Sequence, residues 1–125
     1  MQEKINSQKS TIPYEDDEQI AFVKWFRANY PMVLIWSTPN GGHRNKSVAL
    51  KMKLTGQTPG VPDLFIPEWR LFIEMKRQKG GTVSPEQKAI MAELVRVGYV
   101  CQVCNGYAAA KDFVLSFVDA KSRGV

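Results

Sequence analysis

The chain has 125 residues, 44% hydrophobic and 23% charged, which suits one globular domain with room for a single core. No apolar run approaches the ~20 residues of a membrane helix, and Met1-Gln2-Glu3-Lys4 lacks the apolar stretch of a secretory signal, so a cytosolic protein off the membrane is expected. The net charge of +5 favours a polyanionic partner and argues against an acidic, solvating chain.

Residues 1–12 are polar and aperiodic and are expected to form a loose arm ahead of a single domain over 13–120, with 121–125 as a tail. From Glu15 to Asn29, Phe22, Val23, Trp25 and Phe26 recur at helical spacing. Pro31 punctuates, and Met32–Trp36 has the character of a buried strand. Ser37–Gly42 is dense in turn formers, and Asn45–Leu54 suits a short basic helix. After a Gly/Pro-rich break at Gly56–Pro62, Asp63–Ile66 and Leu71–Lys76 form two short strands joined by Pro67-Glu68-Trp69-Arg70.

Ser84-Pro85-Glu86-Gln87 is a strong helix start, with Ser as N-cap, Pro at the first position and Gln at the third as in a capping box. That helix runs to about Val97, turns Ile90, Leu94 and Val97 inward, and is closed by Gly98. Tyr99–Cys104 is a strand, and a last helix covers about Ala108 to Asp119 with Phe113 and Phe117 on one face. Cys101 and Cys104 are three apart on that strand, so their thiols face opposite ways; with no second pair to complete a zinc site, both are packing residues. The order α-β-(α)-ββ-α-β-α defines an α/β fold, a central mixed β-sheet flanked by helices.

The chemistry concentrates in the paired strands. On the second, burying Leu71, Ile73 and Met75 leaves Phe72, Glu74 and Lys76 on the other face. Asp63 opens the neighbouring strand, and an antiparallel register brings its carboxylate near Glu74. Two carboxylates with a lysine suit phosphodiester hydrolysis. The carboxylates hold a hard cation such as Mg²⁺, and the ammonium orients water or offsets charge on the transition state. A bare Glu-x-Lys pair on a half-exposed strand is common. This one is preceded by Pro62-Asp63 with ten residues between the acids, and it follows a basic segment. From Gln19 to Pro62 there is no Asp or Glu, and Lys24, Arg27, Arg44, Lys46, Lys51 and Lys53 put +6 there against +5 overall, leaving −1 for the rest. Such segregation is the footprint of a phosphate-backbone binder, with a solvated basic face as the plain alternative.

Four ordered motifs then carry a resemblance. They are Pro39-Asn40-Gly41-Gly42-His43-Arg44, Pro59-Gly60-Val61-Pro62-Asp63-Leu64-Phe65, Phe72-Ile73-Glu74-Met75-Lys76 and Ser84-Pro85-Glu86-Gln87. The chain resembles the stand-alone virus-type replication-repair nuclease (VRR-NUC) domains of phages and bacteria, within the PD-(D/E)XK, restriction-endonuclease-like superfamily, over residues from about 15 to 118. The resemblance implies that Asp63 and Glu74 bind Mg²⁺ or Mn²⁺ with the Met75 carbonyl as an extra ligand, and that Lys76 is the catalytic lysine. Gln87 would reach back to the site, or serve only as partner of the Ser84 cap. An acid from the first helix completes such sites. Glu15 with Gln19 fits the family's E-x-x-x-Q, Glu18 is the geometric alternative, and a simple complement to the helix dipole is the third reading.

Asn40, His43 and Arg44 would contact DNA, with Lys46, Lys51 and Lys53 as phosphate contacts. Trp25 and Trp36 fit core patterns better than base-stacking platforms, whereas Trp69, in the strand connection, is expected to be exposed. The resemblance points to an endonuclease acting on DNA, with four-way (Holliday) junctions as the favoured substrate. Because junction resolution needs two symmetric incisions, a homodimer is expected. A flap or nicking nuclease is the rival enzyme. A DNA-binding module without catalysis is the rival from another class, opposed by the retained Asp63, Glu74 and Lys76.

Overall fold

The computed structural model describes residues 11–39 and 45–124. In chain order these form α1 (Glu15–Asn29), β1 (Trp36–Ser37), α2 (Lys46–Leu54), β2 (Leu64–Ile66), a 3₁₀ turn at Pro67–Trp69, β3 (Leu71–Lys76), α3 (Pro85–Arg96), β4 (Val100–Asn105) and α4 (Tyr107–Ser122). The four strands make one sheet in the order β1-β2-β3-β4. β2 runs antiparallel to both β1 and β3. The Val100 amide donates to the Arg70 carbonyl at 2.9 Å and the Gly106 amide to the Lys76 carbonyl at 2.9 Å, so the donors and acceptors advance together and β4 runs parallel to β3. The sheet is therefore mixed, and the α/β expectation stands.

The chain divides into two compact units. One comprises Leu34–Glu74 and Val83–Gln102. Its core is the inward set of the β2–β3 hairpin, where Leu64 faces Ile73 and Ile66 faces Leu71, all of them fully buried. Each such side chain contributes about 1.5–3 kcal/mol through burial. α3 begins with a complete capping box between Ser84 and Gln87. It ends with the Gly98 amide on the Val95 carbonyl and the Tyr99 amide on the Leu94 carbonyl, a Schellman closure.

The other unit comprises Met1–Val33, Met75–Thr82 and Val103–Val125. In it α1 packs on α4, with Phe22, Phe26, Ala110 and Val114 fully buried. Residues 1–10 of the expected arm lie outside the described residues, but the Ile12 carbonyl is not loose: Arg77 Nη2 donates to it at 2.7 Å. The last helix reaches Ser122, past the start of the expected tail.

Three expectations need correction. Met32–Trp36 is not a buried strand: only Trp36 and Ser37 pair, Ile35 is buried, and Met32 is 91% exposed. The apolar run looked like core, yet β1 is an edge strand, and a Tyr30–Val33 turn occupies its first half. Trp36 is accordingly 45% exposed rather than core, while Trp69, expected outside, is buried because the 3₁₀ turn folds its ring inward. Val97 caps α3 and stays exposed instead of turning inward.

Candidate active site

The β2–β3 register sets the carboxylates. Leu64 pairs with Ile73 at the end of the paired stretch, and Asp63 and Glu74 are the residues that immediately adjoin that pair. With Leu64, Ile66, Leu71 and Ile73 turned into the core, strand alternation puts Asp63, Phe65, Phe72 and Glu74 on the opposite face. Both acids therefore adjoin the same end of the hairpin, where side chains of neighbouring antiparallel strands come close enough for two carboxylates to share a cation. Met75 and Lys76 follow Glu74 on the same strand. Glu74 is only 2% exposed and Asp63 half-buried.

Glu74 is held from α3. Gln87 Nε2 donates to Glu74 Oε2 at 2.8 Å, while Gln87 Oε1 accepts from the Ser84 amide at 2.9 Å. Ser84 Oγ in turn accepts from the Gln87 amide at 3.1 Å. One side chain thus makes the cap contact and also reaches Glu74. The cap also orients it: with Oε1 committed to Ser84, the NH₂ end must face Glu74. This geometry needs a close approach that sequence reading missed. Gly60 (φ +92°) lies against the first turn of α3, and a Cβ there would stand 2.7 Å from both the carbonyl carbon and oxygen of Glu86.

The acids of α1 separate by role. Glu18 is 5% exposed; its Oε1 accepts from the Tyr107 amide at 2.8 Å and its Oε2 from Gln78 Nε2 at 2.9 Å. α4 starts at Gly106, which has no side chain to cap it, so the Glu18 carboxylate supplies the missing acceptor and complements the helix dipole. Gly106 (φ +97°) leaves that space open, since a Cβ would approach Glu18 Oε2 to 3.0 Å and Gln78 Cγ to 2.8 Å. Glu15, the first residue of α1, is half-buried. Gln19 is half-buried too.

Of the basic segment, Asn40, His43 and Arg44 lie outside the described residues. α2 is capped by Asn45, whose Oδ1 accepts from the Val48 amide at 2.9 Å, and it carries Lys46, Lys51 and Lys53 exposed. Lys46 and Lys53 are seven residues apart and so share one helix face. The cysteines are free thiols, Cys104 buried and Cys101 half-buried. Burial pushes the Cys101 thiol up and that of Cys104 to about 11, so neither suits a reactive thiolate.

Among the described residues no three His, Cys, Asp or Glu side chains gather to hold a metal ion. A paired Asp and Glu beside a backbone carbonyl is an all-oxygen donor set, which fits a hard divalent cation that retains several waters and does not fit zinc.

An antiparallel hairpin that carries Asp63 and Glu74, a crossover helix that holds Glu74 and a parallel strand give a mixed sheet flanked by helices, consistent with the PD-(D/E)XK fold. The VRR-NUC domain model matches residues 13–108, and the chain belongs to the VRR-NUC family. Its function is accordingly nuclease-type processing of DNA. The fold is similar to that of a solved structure described as a VRR_NUC domain protein, with TM-score 0.70 and 24% identity, over 86% of this chain and 89% of the other. No curated protein matches the sequence. No helix among the described residues is long and apolar enough to cross a membrane.

Proposed function

We propose that the chain is a metal-dependent endodeoxyribonuclease that hydrolyses phosphodiester bonds in branched DNA, with four-way junctions as the preferred substrate. The observation that supports this is the nearly buried Glu74 held by Gln87, on a hairpin whose Leu64–Ile73 pair adjoins both Asp63 and Glu74. Asp63 and Glu74, with the Met75 carbonyl, are the ligands for Mg²⁺ or Mn²⁺. When bound, such an ion supplies charge that polarises the scissile phosphate and lowers the pKa of coordinated water. Gln87 keeps a Glu74 oxygen pointed at the site. Lys76, two residues on and on the same face by strand alternation, holds the attacking water or offsets charge on the phosphate. Among the acids of α1 the Glu18 carboxylate is committed to the start of α4, which leaves Glu15 as the acid that fits the family's E-x-x-x-Q.

Asn40, His43, Arg44, Lys46, Lys51 and Lys53 hold the DNA backbone. The working form is a cytosolic homodimer, since a junction needs two symmetric incisions and each chain brings one site. Purified protein incubated with four-way, flap and linear DNA, with and without Mg²⁺ or Mn²⁺, tests this reading. Metal-dependent cutting strongest on four-way DNA is expected. Equal cutting of linear DNA, or cutting in chelator, would overturn it.

A further inference from the structure

A row of aromatic rings crosses the sheet on the face that carries the carboxylates. Trp36 is paired opposite Phe65 and Phe65 opposite Phe72, so all three project on one side. Their rings touch in series: Trp36 to Phe65 edge-on at 5.4 Å, Phe65 on Phe72 stacked at 4.2 Å, and Phe72 to Tyr99 at 5.5 Å. Arg70 closes the row, its guanidinium 4.3 Å above the Tyr99 ring. The inner rings are half-buried. α3 covers the β3–β4 side of this face, where Gln87 reaches Glu74 and the Cys101 thiol donates to the Met91 carbonyl. Trp36, at the β1 end, is the one ring of the row left 45% exposed.

An exposed tryptophan backed by a T-shaped partner offers a flat apolar surface already supported before anything binds. Its position matters as much as its shape. Phe65 is two residues from Asp63, and Trp36 two from Thr38, whose amide donates to the Asp63 carbonyl. Two residues along a strand is about 7 Å, so the indole lies diagonally across one strand from Asp63 on the same face, with Glu74 one strand further. The surrounding sequence is cationic: Trp36 falls within the stretch from Gln19 to Pro62 that has no acid. A flat apolar ring beside a phosphate-cutting pair, in a positively charged segment, matches a nucleotide, which presents a π face and an anion together. An aliphatic protein partner would use neither feature.

We propose that Trp36 stacks an unpaired nucleobase of the DNA strand whose phosphate lies at Asp63 and Glu74. This makes the site select for distorted or open DNA, because a base inside an intact duplex has no free face to offer. The placement of the phosphate rests on the nuclease reading above. The stacking itself is measured without metal, so failure of either is visible alone.

The experiment compares wild type, Trp36→Phe and Trp36→Leu in chelator, binding a labelled duplex with a three-base single-stranded gap and the same duplex fully paired. Leucine keeps the apolar packing on Phe65 but removes the π face. Trp36→Leu should weaken gapped-duplex binding by about 5- to 150-fold more than paired-duplex binding, the worth of one base–aromatic stack, with Trp36→Phe retaining most of it. A 2-aminopurine in the gap should lose fluorescence when wild type binds. Equal losses on both DNAs, no loss on either, or unchanged 2-aminopurine emission would overturn the proposal. So would dissociation of an oligomer by Trp36→Leu with DNA binding intact, which would give the ring to a second copy. If Trp36→Leu fails to fold, the 2-aminopurine measurement on wild type and Trp36→Phe decides.

Discussion

Replacing Gly60 by alanine probes how the Asp63 loop and α3 are locked together. The glycine has φ +92°, and a Cβ would meet the Glu86 carbonyl carbon and oxygen at 2.7 Å and the Gln87 amide nitrogen at 3.0 Å. These are backbone atoms of a capped helix turn, so they cannot swing aside as a side chain would. Two costs add. A positive φ for an L residue costs about 1–2 kcal/mol, and forcing an extra carbon into a packed contact costs about 1–3 kcal/mol. The sum, about 2–5 kcal/mol, should lower the melting midpoint by roughly 8–20 °C in a domain of this size.

Gly56→Ala is the internal control: it has φ +114° with nothing within 4 Å, so it carries the strain without the clash. Thermal unfolding followed by circular dichroism reads both. Gly60→Ala should fall well below Gly56→Ala. Equal midpoints would refute the close approach, and with it the explanation of how the α3 N-terminus is held where Gln87 reaches Glu74.

Glu18→Ala should cost about 1.5–3 kcal/mol in chemical denaturation by removing a charged acceptor from the Tyr107 amide; a variant that loses cleavage at unchanged stability would instead make Glu18 the first-helix acid of the site. Lys51→Ala with Lys53→Ala should reduce the log–log salt dependence of DNA binding by up to about one unit per lysine, and an unchanged slope would put the DNA elsewhere. Cys104, with its thiol at about 11, should be alkylated slowly at pH 8, where only about one in a thousand thiols is ionised, and faster as pH rises; rapid labelling at pH 8 in native protein would contradict the burial.

What the sequence revealed was local. α1 over Glu15–Asn29, the Ser84–Gln87 box and the β2–β3 hairpin each follow from spacing and capping within a few residues, and the hairpin pairs Leu64 with Ile73, the neighbours of Asp63 and Glu74. What it hid depends on neighbours far along the chain. The run Met32–Trp36 has strand composition, but an edge position with two paired residues leaves Trp36 in solvent. The partner of Glu18 is a helix start 89 residues away, and its missing cap is legible only as a glycine at 106. Gly60 looks like an ordinary turn residue until the backbone of Glu86 is found against it.

The most direct test of the site is cleavage by Asp63→Asn and Glu74→Gln, assayed on the same preparations as gel-shift binding. Both changes preserve shape and remove the charge that a divalent cation needs, while the exposed lysines of α2 are untouched. Each variant should lose cutting of four-way DNA in Mg²⁺ or Mn²⁺ and still bind that DNA nearly as wild type does. Full cleavage by either one would contradict the assignment of Asp63 and Glu74 as the catalytic pair.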